Sequence, residues 1–457
     1  MPRRRDCSAA CKCSVVAEME EQFNALADGI GAHLRGSEGF LASFAGESSA
    51  FVRYNHAAVR QAGTVEQRYL SLELFDGKRH AAKTITLTGQ ADDATRVTAA
   101  VTDLRDILKD QPEDPLFLIN TAPQSTRRVL PNTLPAAEEM LDAVLTAGSR
   151  HDLVGITASG PIHRGFASSL GQRNWDTAHA YNIDLSFYLQ ADKAVKWGDG
   201  GSSWNAGAFT AKANAAKQRL AALARAPKTI ALGGYRVYLA PAAMEEIMGM
   251  LCWGGFGLAD HRTGITPLIR MVEGERLNAA VSVRENTKDG FAPGFQSKGF
   301  IKPDSVDLIV DGAYRDCMTS PRSAVEFGAA QNGAEDNMEM PVSLDMAAGS
   351  LAESDILKTL GTGVYVGNLW YLNYSDRNAC RLTGMTRFAT FWVENGEIVA
   401  PLNVMRFDDT LYRMLGTNLA ALTKTRDARL SSDTYESRQT RSMLLPGAVV
   451  DDLRLTL

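Results

Sequence analysis

The chain has 457 residues, 45% of them apolar and 22% charged, an ordinary composition for a globular protein. At roughly 150 residues per domain it has room for two to four domains and a core that needs no metal or disulfide support. The net charge of −5 gives no global field for nucleic acid or anionic lipid, and no apolar run approaches the ~18–20 residues of a membrane-spanning helix.

Half of the six cysteines (Cys7, Cys11, Cys13, Cys252, Cys317, Cys380) lie in the first thirteen residues. Such sparse usage does not build a disulfide scaffold, so a reducing cytoplasm is the expected compartment. The Cys-x3-Cys-x-Cys cluster has no fourth ligand nearby and matches no common zinc module. Residues 1–18 are expected to be a disordered leader, or to precede a true start at Met19. Residues 20–36 then have helical spacing, with Phe23, Leu26, Ile30 and Leu34 on one side. Gln67–Phe75 and Lys83–Leu87 alternate as strands around an Asp76-Gly77 turn. Asp92–Lys109 returns to helical period through Val97, Val101, Leu104 and Leu108. These pieces make an N-terminal α+β domain over 19–110.

Prolines at 112, 115, 123, 131 and 135 mark a linker-like junction. Beyond it, residues 111–228 read as a middle α+β domain. A helix is expected over Ala136–Ala147, with strands at Leu153–Ser159, His163–Ser169 and Ile183–Leu189. Gly198-Asp199-Gly200-Gly201 reads as a flexible loop, and Ala206–Arg225 as a long helix. From residue 229 to 457 short strands alternate with Gly- and Pro-containing turns, and helices are expected only at Ala242–Met250, Asp355–Leu360 and Leu411–Thr423. The fold class is therefore α+β. Two sandwich-like units with antiparallel sheets precede a large C-terminal domain of curved, barrel-like antiparallel sheets.

Common catalytic signatures are missing. There is no phosphate-binding G-x-x-x-x-G-K-[ST], no G-x-G-x-x-G between strand and helix, and no G-x-S-x-G elbow. The seven histidines never fall three to five residues apart, so H-E-x-x-H chemistry is excluded. Cys252 and His261 are close in sequence, but a thiolate–imidazole pair needs a spatial placement that spacing does not supply. Two stretches stand out: Gly361–Ser375, a glycine-led aromatic strand, and Thr386–Pro401, two strands joined at Glu394-Asn395-Gly396. The plain reading is a core hairpin with positive φ at both central turn residues. The sharper reading is a strand edge whose amides and aromatics (Asn368, Trp370, Tyr371, Asn373, Arg387) hold an extended peptide or line a cavity.

Those stretches, V-G-N-L-W-Y-L-N followed by F-W-V-E-N-G-E-I-x-x-P, resemble the C-terminal domain of the TldD/PmbA family, once called modulators of DNA gyrase. The resemblance extends from about Met19 over most of the chain. It implies a pair of related subunits: a TldD-like one with a zinc site built on H-E-x-x-x-H, and a TldE/PmbA-like one without the metal. Aligned on that motif, this chain has Met248 and Trp253 for the histidines and Gly249 for the glutamate. No histidine lies between His179 and His261, and no cysteine follows Cys380. Glu245 and Glu246, a turn earlier, read as solvated helix charges. The resemblance thus implies a metal-free subunit with no catalytic residue or cofactor of its own. It would pair with a zinc-bearing TldD-like partner in a cytoplasmic heterodimer that degrades short or unfolded peptides, with a homodimer as the form in isolation. The alternatives are a stand-alone peptide-binding modulator, and a hydrolase with a relocated thiol at Cys380, activated by the neighbouring Arg381.

Overall fold

A computed structural model describes residues 8–190, 193–434 and 436–457. Residues 1–7 and the side chains through residue 17 lie outside the described residues, and with them the leader's three cysteines. Helix α1 (Ser8–Ala32) already covers much of the segment set apart as a leader. It is followed by β1 (Glu38–Asn55), β2 (Ala58–Asp76), β3 (Arg79–Thr86) and α2 (Asp92–Leu108). Alternation does the folding here. Phe40, Ala42 and Phe44 of β1 and Leu70, Leu72 and Leu74 of β2 share one face, buried against Phe23, Ala27 and Ile30 of α1. The expected stripe Val97, Val101, Leu104 and Leu108 of α2 completes that core. Asp93 anchors the start of α2, accepting from the Thr88 and Gly89 backbone N–H groups at 2.9 and 2.7 Å.

The junction holds only the short β4 (Arg127–Val129), then α3 (Ala137–Gly148). Three long strands follow, β5 (Asp152–Ser168), β6 (Arg173–Gln190) and β7 (Lys193–Gly201), and then α4 (Ala206–Leu223). The sequence separates two strands at 153–159 and 163–169, yet β5 is one strand running through Gly160-Pro161. β5 pairs antiparallel with both β1 and β6, so the first two units share one seven-stranded sheet in the order β3-β2-β1-β5-β6. β4 and β7 take successive stretches of β6's remaining edge. The expected Gly198–Gly201 loop is part of β7. A Cβ on Gly198 would stand 2.5 Å from the Ile183 carbonyl oxygen, so the glycine serves close strand approach.

The C-terminal part starts with β8 (Gly233–Leu239) and α5 (Pro241–Cys252), then the short helices α6 (Leu258–Arg262) and α7 (Ile269–Val272). Next come β9 (Val283–Glu285), β10 (Val306–Val310), β11 (Ala313–Tyr314), α8 (Pro321–Phe327), β12 (Ser343–Met346) and α9 (Ile356–Leu360). The chain closes with β13 (Gly363–Asp376), β14 (Arg381–Glu394), β15 (Glu397–Pro401), β16 (Arg406–Thr410), β17 (Leu419–Leu430) and β18 (Ser442–Leu455). These strands form an 11-stranded sheet. Within it β18, β16, β14, β13 and β8 close into a ring, because β8 pairs with both β13 and β18. Closure removes sheet edges and gives the expected barrel-like character. The β14–β15 turn is the Asn395-Gly396 hairpin, with φ of 52° and 82°. The helix expected at Leu411–Thr423 is instead a single π turn at Tyr412–Thr417 running into β17, whose pairing with β18 overrides local helix preference.

Two cores serve this half. One lies between α5 and the ring, where Met244, Ile247, Met248 and Leu251 meet Val237, Val364, Val366 and Val450. The other joins the two sheets through α4, whose Phe209, Ala213, Ala216 and Leu220 sit in one cluster with Leu185, Phe187, Tyr365, Phe391 and Val393. No helix among the described residues is long and apolar enough to cross a membrane.

Candidate functional site

α5 has two faces. Met244, Ile247, Met248 and Leu251 bury themselves in the ring core. Ala242, Glu245, Glu246, Gly249 and Met250 recur at helical spacing on the other side and wall a cavity of about 320 Å³. β6 and β7 supply the opposite wall with Asn182, Asp184, Lys196, Trp197 and Asp199. β13 adds Asn368 and Leu372, and β17 adds Ala428, Arg429 and Leu430. The cavity therefore sits where the first sheet, the ring and α5 converge.

Most of its charges are paired. Lys196 Nζ lies 3.1 Å from Asp184 Oδ2, and Arg429 Nε donates to Glu245 Oε2 at 2.7 Å. Asp199 accepts from Lys212 Nζ and from the Tyr181 hydroxyl, each at 2.8 Å. Asn182 Nδ2 donates to the carbonyls of Leu430 and Ser431, fixing β6 to the end of β17. Glu246 has no hydrogen-bond or ion-pair partner among the described residues. Although its side chain reaches solvent, partial desolvation against the cavity wall and the neighbouring Glu245 charge raise its pKa above the usual carboxylate value, and the Lys196 and Arg429 charges pull it back. Asn368 is 9% exposed, lines the cavity, and its side-chain amide has no hydrogen-bond partner among the described residues.

The structure separates the positions aligned with the zinc motif. Met248 is in the core at 1% exposure, and Gly249 lines the cavity. Trp253 caps the far end of α5, 61% exposed, 6.3 Å from the Tyr374 ring and beneath the Arg377 guanidinium. Glu245 and Glu246, read from sequence as solvated charges, are part-exposed and exposed respectively, and both stand on the cavity wall. Their signal was available: with Gly249 they share a helical face opposite the Met244–Met248 stripe.

Of the strand residues expected to meet a peptide or line a cavity, Asn368 lines this one. Trp370 and Tyr371 are 51% and 77% exposed at a bulge farther along β13, with Tyr371 at φ 57°. Arg387 stacks over Trp370 at 4.5 Å, and Asn373 Oδ1 accepts from the Tyr374 backbone N–H at 2.8 Å. None of these four lines the cavity.

The donor set does not fit a catalytic zinc, which needs about three protein ligands and an open position. The cavity lining contains no imidazole and no thiolate, and three of its four carboxylates are bound to cations. The described residues hold no cluster of three or more metal-ligating side chains. The relocated-thiol expectation meets the opposite electrostatics. Cys380 is fully buried, and burial pushes its thiol up to about 12 despite the Arg377 charge nearby. His261 directs Nε2 to the Gly255 carbonyl at 2.7 Å, and burial likewise pushes the Cys252 thiol up to about 12.

Residues 232–457 match the PmbA/TldA metallopeptidase C-terminal domain. The fold as a whole is similar to TldE from Thermococcus kodakarensis, with a TM-score of 0.76 at 12% identity, covering 96% of this chain and 100% of that one. A Thermotoga maritima protein named for modulation of DNA gyrase gives 0.75 at 13% identity over 95% and 100% of the two chains. A Bacteroides thetaiotaomicron protein of the same description gives 0.72 at 12% identity over 95% and 97%. No curated protein matches in sequence. At such identities the structural likeness establishes the fold. With the domain match at residues 232–457, the aromatic strand and the Asn-Gly hairpin in place, this chain belongs to the PmbA/TldD family.

Proposed function

We propose that the chain is the metal-free, TldE/PmbA-like subunit of a cytoplasmic heterodimeric peptidase, paired with a zinc-bearing TldD-like subunit in the breakdown of short or unfolded peptides. The observation that carries this reading is the cavity face of α5, which presents Glu245, Glu246, Gly249 and Met250 and no zinc ligand set. Such a subunit contributes walls, charge and shape, and leaves bond cleavage to its partner. The test is to purify the chain alone and with a TldD-like subunit and follow cleavage of an unstructured peptide. Activity is expected only from the pair and is abolished by a chelator. Chelator-sensitive cleavage by the chain alone overturns the reading.

A second reading, a stand-alone peptide-binding modulator, is favoured by one fact: the cavity is complete within a single chain. The gyrase-modulator description of two structural neighbours accords with it. Co-purification separates the two, since a stoichiometric zinc-bearing partner supports the first and a lone homodimer the second.

A further inference from the structure

A second cavity, of about 350 Å³, has Glu47, Phe51, Gln67 and Thr434 in its walls. The connection between β17 and β18, described at Ser431–Thr434 and Glu436–Arg441, runs between the two cavities. Ser432 lines the first and Thr434 the second. The wall between them is thin. Asn182 of the first cavity and Glu47 of the second stand on β6 and β1, with only β5 between, a separation of about 10 Å.

Arg438 pins this connection to the sheet. Its Nη1 donates to Ser49 Oγ at 3.2 Å and to the Gly160 carbonyl at 3.3 Å. Its Nη2 donates to the Ala180 carbonyl at 2.8 Å and to Asn182 Oδ1 at 3.3 Å. The residue is 2% exposed, yet all four acceptors are neutral and Nε has no partner. Glu47 is the nearby carboxylate, but it accepts from the Arg438 backbone N–H at 3.3 Å and makes no ion pair with the guanidinium. A desolvated cation held this way gains little over hydration, so the seat is specific in shape without being deep in energy. The connection itself bears the marks of a removable element. Ser432, Thr434 and Glu436 are exposed, Glu436 is left-handed at φ 65°, and the stretch joins no strand. The seat is polar, made of one hydroxyl, one amide and two carbonyls, so lifting the connection bares groups that water or another chain can satisfy.

We propose that the two cavities are parts of one groove for an extended peptide, that the β17–β18 connection is its intramolecular occupant, and that Arg438 sits where an arginine side chain of the peptide binds. The peptide class rests on the function proposed above, whereas the preference for a guanidinium rests on the seat itself. The connection then acts as a strap that a matching peptide displaces.

The test is calorimetric titration of the full chain and of its Arg438→Ala variant with acetyl-Ala-Arg-Ala amide and acetyl-Ala-Gln-Ala amide. The variant is expected to bind the arginine probe ten-fold or more tightly than the glutamine probe. It should also bind that probe ten-fold or more tightly than the wild type, where tethered Arg438 competes at a high effective concentration. A second measurement needs no variant. In the wild type, a large excess of the arginine probe should speed amide hydrogen exchange across 436–441 several-fold, and the glutamine probe should not. Equal binding of the two probes by the folded variant, no binding by it, or exchange at 436–441 that ignores the arginine probe overturns the proposal. Peptide cleavage by the reconstituted pair, followed in parallel, separates the failures. Cleavage by the pair without arginine selectivity in Arg438→Ala sinks this proposal alone. Arginine selectivity in a chain that supports no cleavage with its partner sinks the subunit role alone.

Discussion

Arg429 Nε donates to Glu245 Oε2 at 2.7 Å, tying the end of β17 to the first turns of α5 along one rim of the cavity. The two residues are 184 positions apart in the chain. The Arg429 side chain is 19% exposed, so it has little water to replace a lost partner. Glu246, the next residue, makes no such contact.

Adjacent carboxylates should therefore respond differently to the same change. Glu245→Gln removes the anion from a mostly buried guanidinium and should lower stability by about 1–3 kcal/mol. Glu246→Gln breaks no bond and should change stability by no more than about 0.5 kcal/mol. Chemical denaturation of the two variants against the wild type checks this, and equal losses would show that the Arg429 contact is energetically idle.

Asn368 should tolerate the loss of its amide. The side chain makes no hydrogen bond to another described residue and faces the cavity, so Asn368→Leu breaks no bond, opens no void and should leave the thermal midpoint nearly unchanged. A clear fall in the midpoint, read by thermal denaturation, would mean that the amide is held by bonds in solution.

The stability of the first sheet should depend on pH through His163. The side chain is fully buried, its Nδ1 pairs with Thr177 Oγ1 at 3.0 Å, and its Nε2 has no partner. Burial, helped by nearby His179 and Arg164, lowers its pKa from 6.5 to about 4. Between those values the unfolded chain binds a proton that the folded chain refuses, so stability falls as pH drops from 6.5 toward 4. The ceiling is about 3 kcal/mol. Glu38 has a lowered pKa because of its bond to Arg105, so its contribution is lost only below the ordinary carboxylate range. Burial lowers His261 as well, adding a slope of the same sign, and raises the Asp176, Asp260 and Glu285 carboxyls, which oppose it. The His163 share is therefore read by difference: between about pH 6.5 and 4.5 His163→Gln should lose less stability than the wild type.

The thiols should be inert in the folded protein. Cys252, Cys317 and Cys380 are free and buried, and all three have raised pKa values because of burial. Alkylation near neutral pH, mapped by peptide mass, should mark them only after denaturant is added. Cys380→Ala should leave peptide cleavage by the reconstituted pair unchanged. Rapid native labelling of Cys380 coupled to lost cleavage would revive the thiol-hydrolase alternative.

What the sequence determined by itself is local. The stripe of α2 follows from 3.6-residue periodicity, and the Asn395-Gly396 hairpin from the positive φ its turn demands. Histidine spacing excluded an H-E-x-x-H helix before any fold was known. Local signals also misled where a distant strand made the choice. Leu419–Thr423 has helical composition but pairs with β18, and Gly198–Gly201 looks like a loop but completes an edge beside β6. Only the tertiary structure decided the rest: the β1–β5 pairing that fuses two units into one sheet, the β8–β18 pairing that closes the ring, and the cavity between them. Each depends on segments more than a hundred residues apart, whose alignment no local period encodes. The opening charge count shows the same division. A net of −5 gave no global field for nucleic acid or anionic lipid, but which carboxylates are paired depends on where each cation comes to rest.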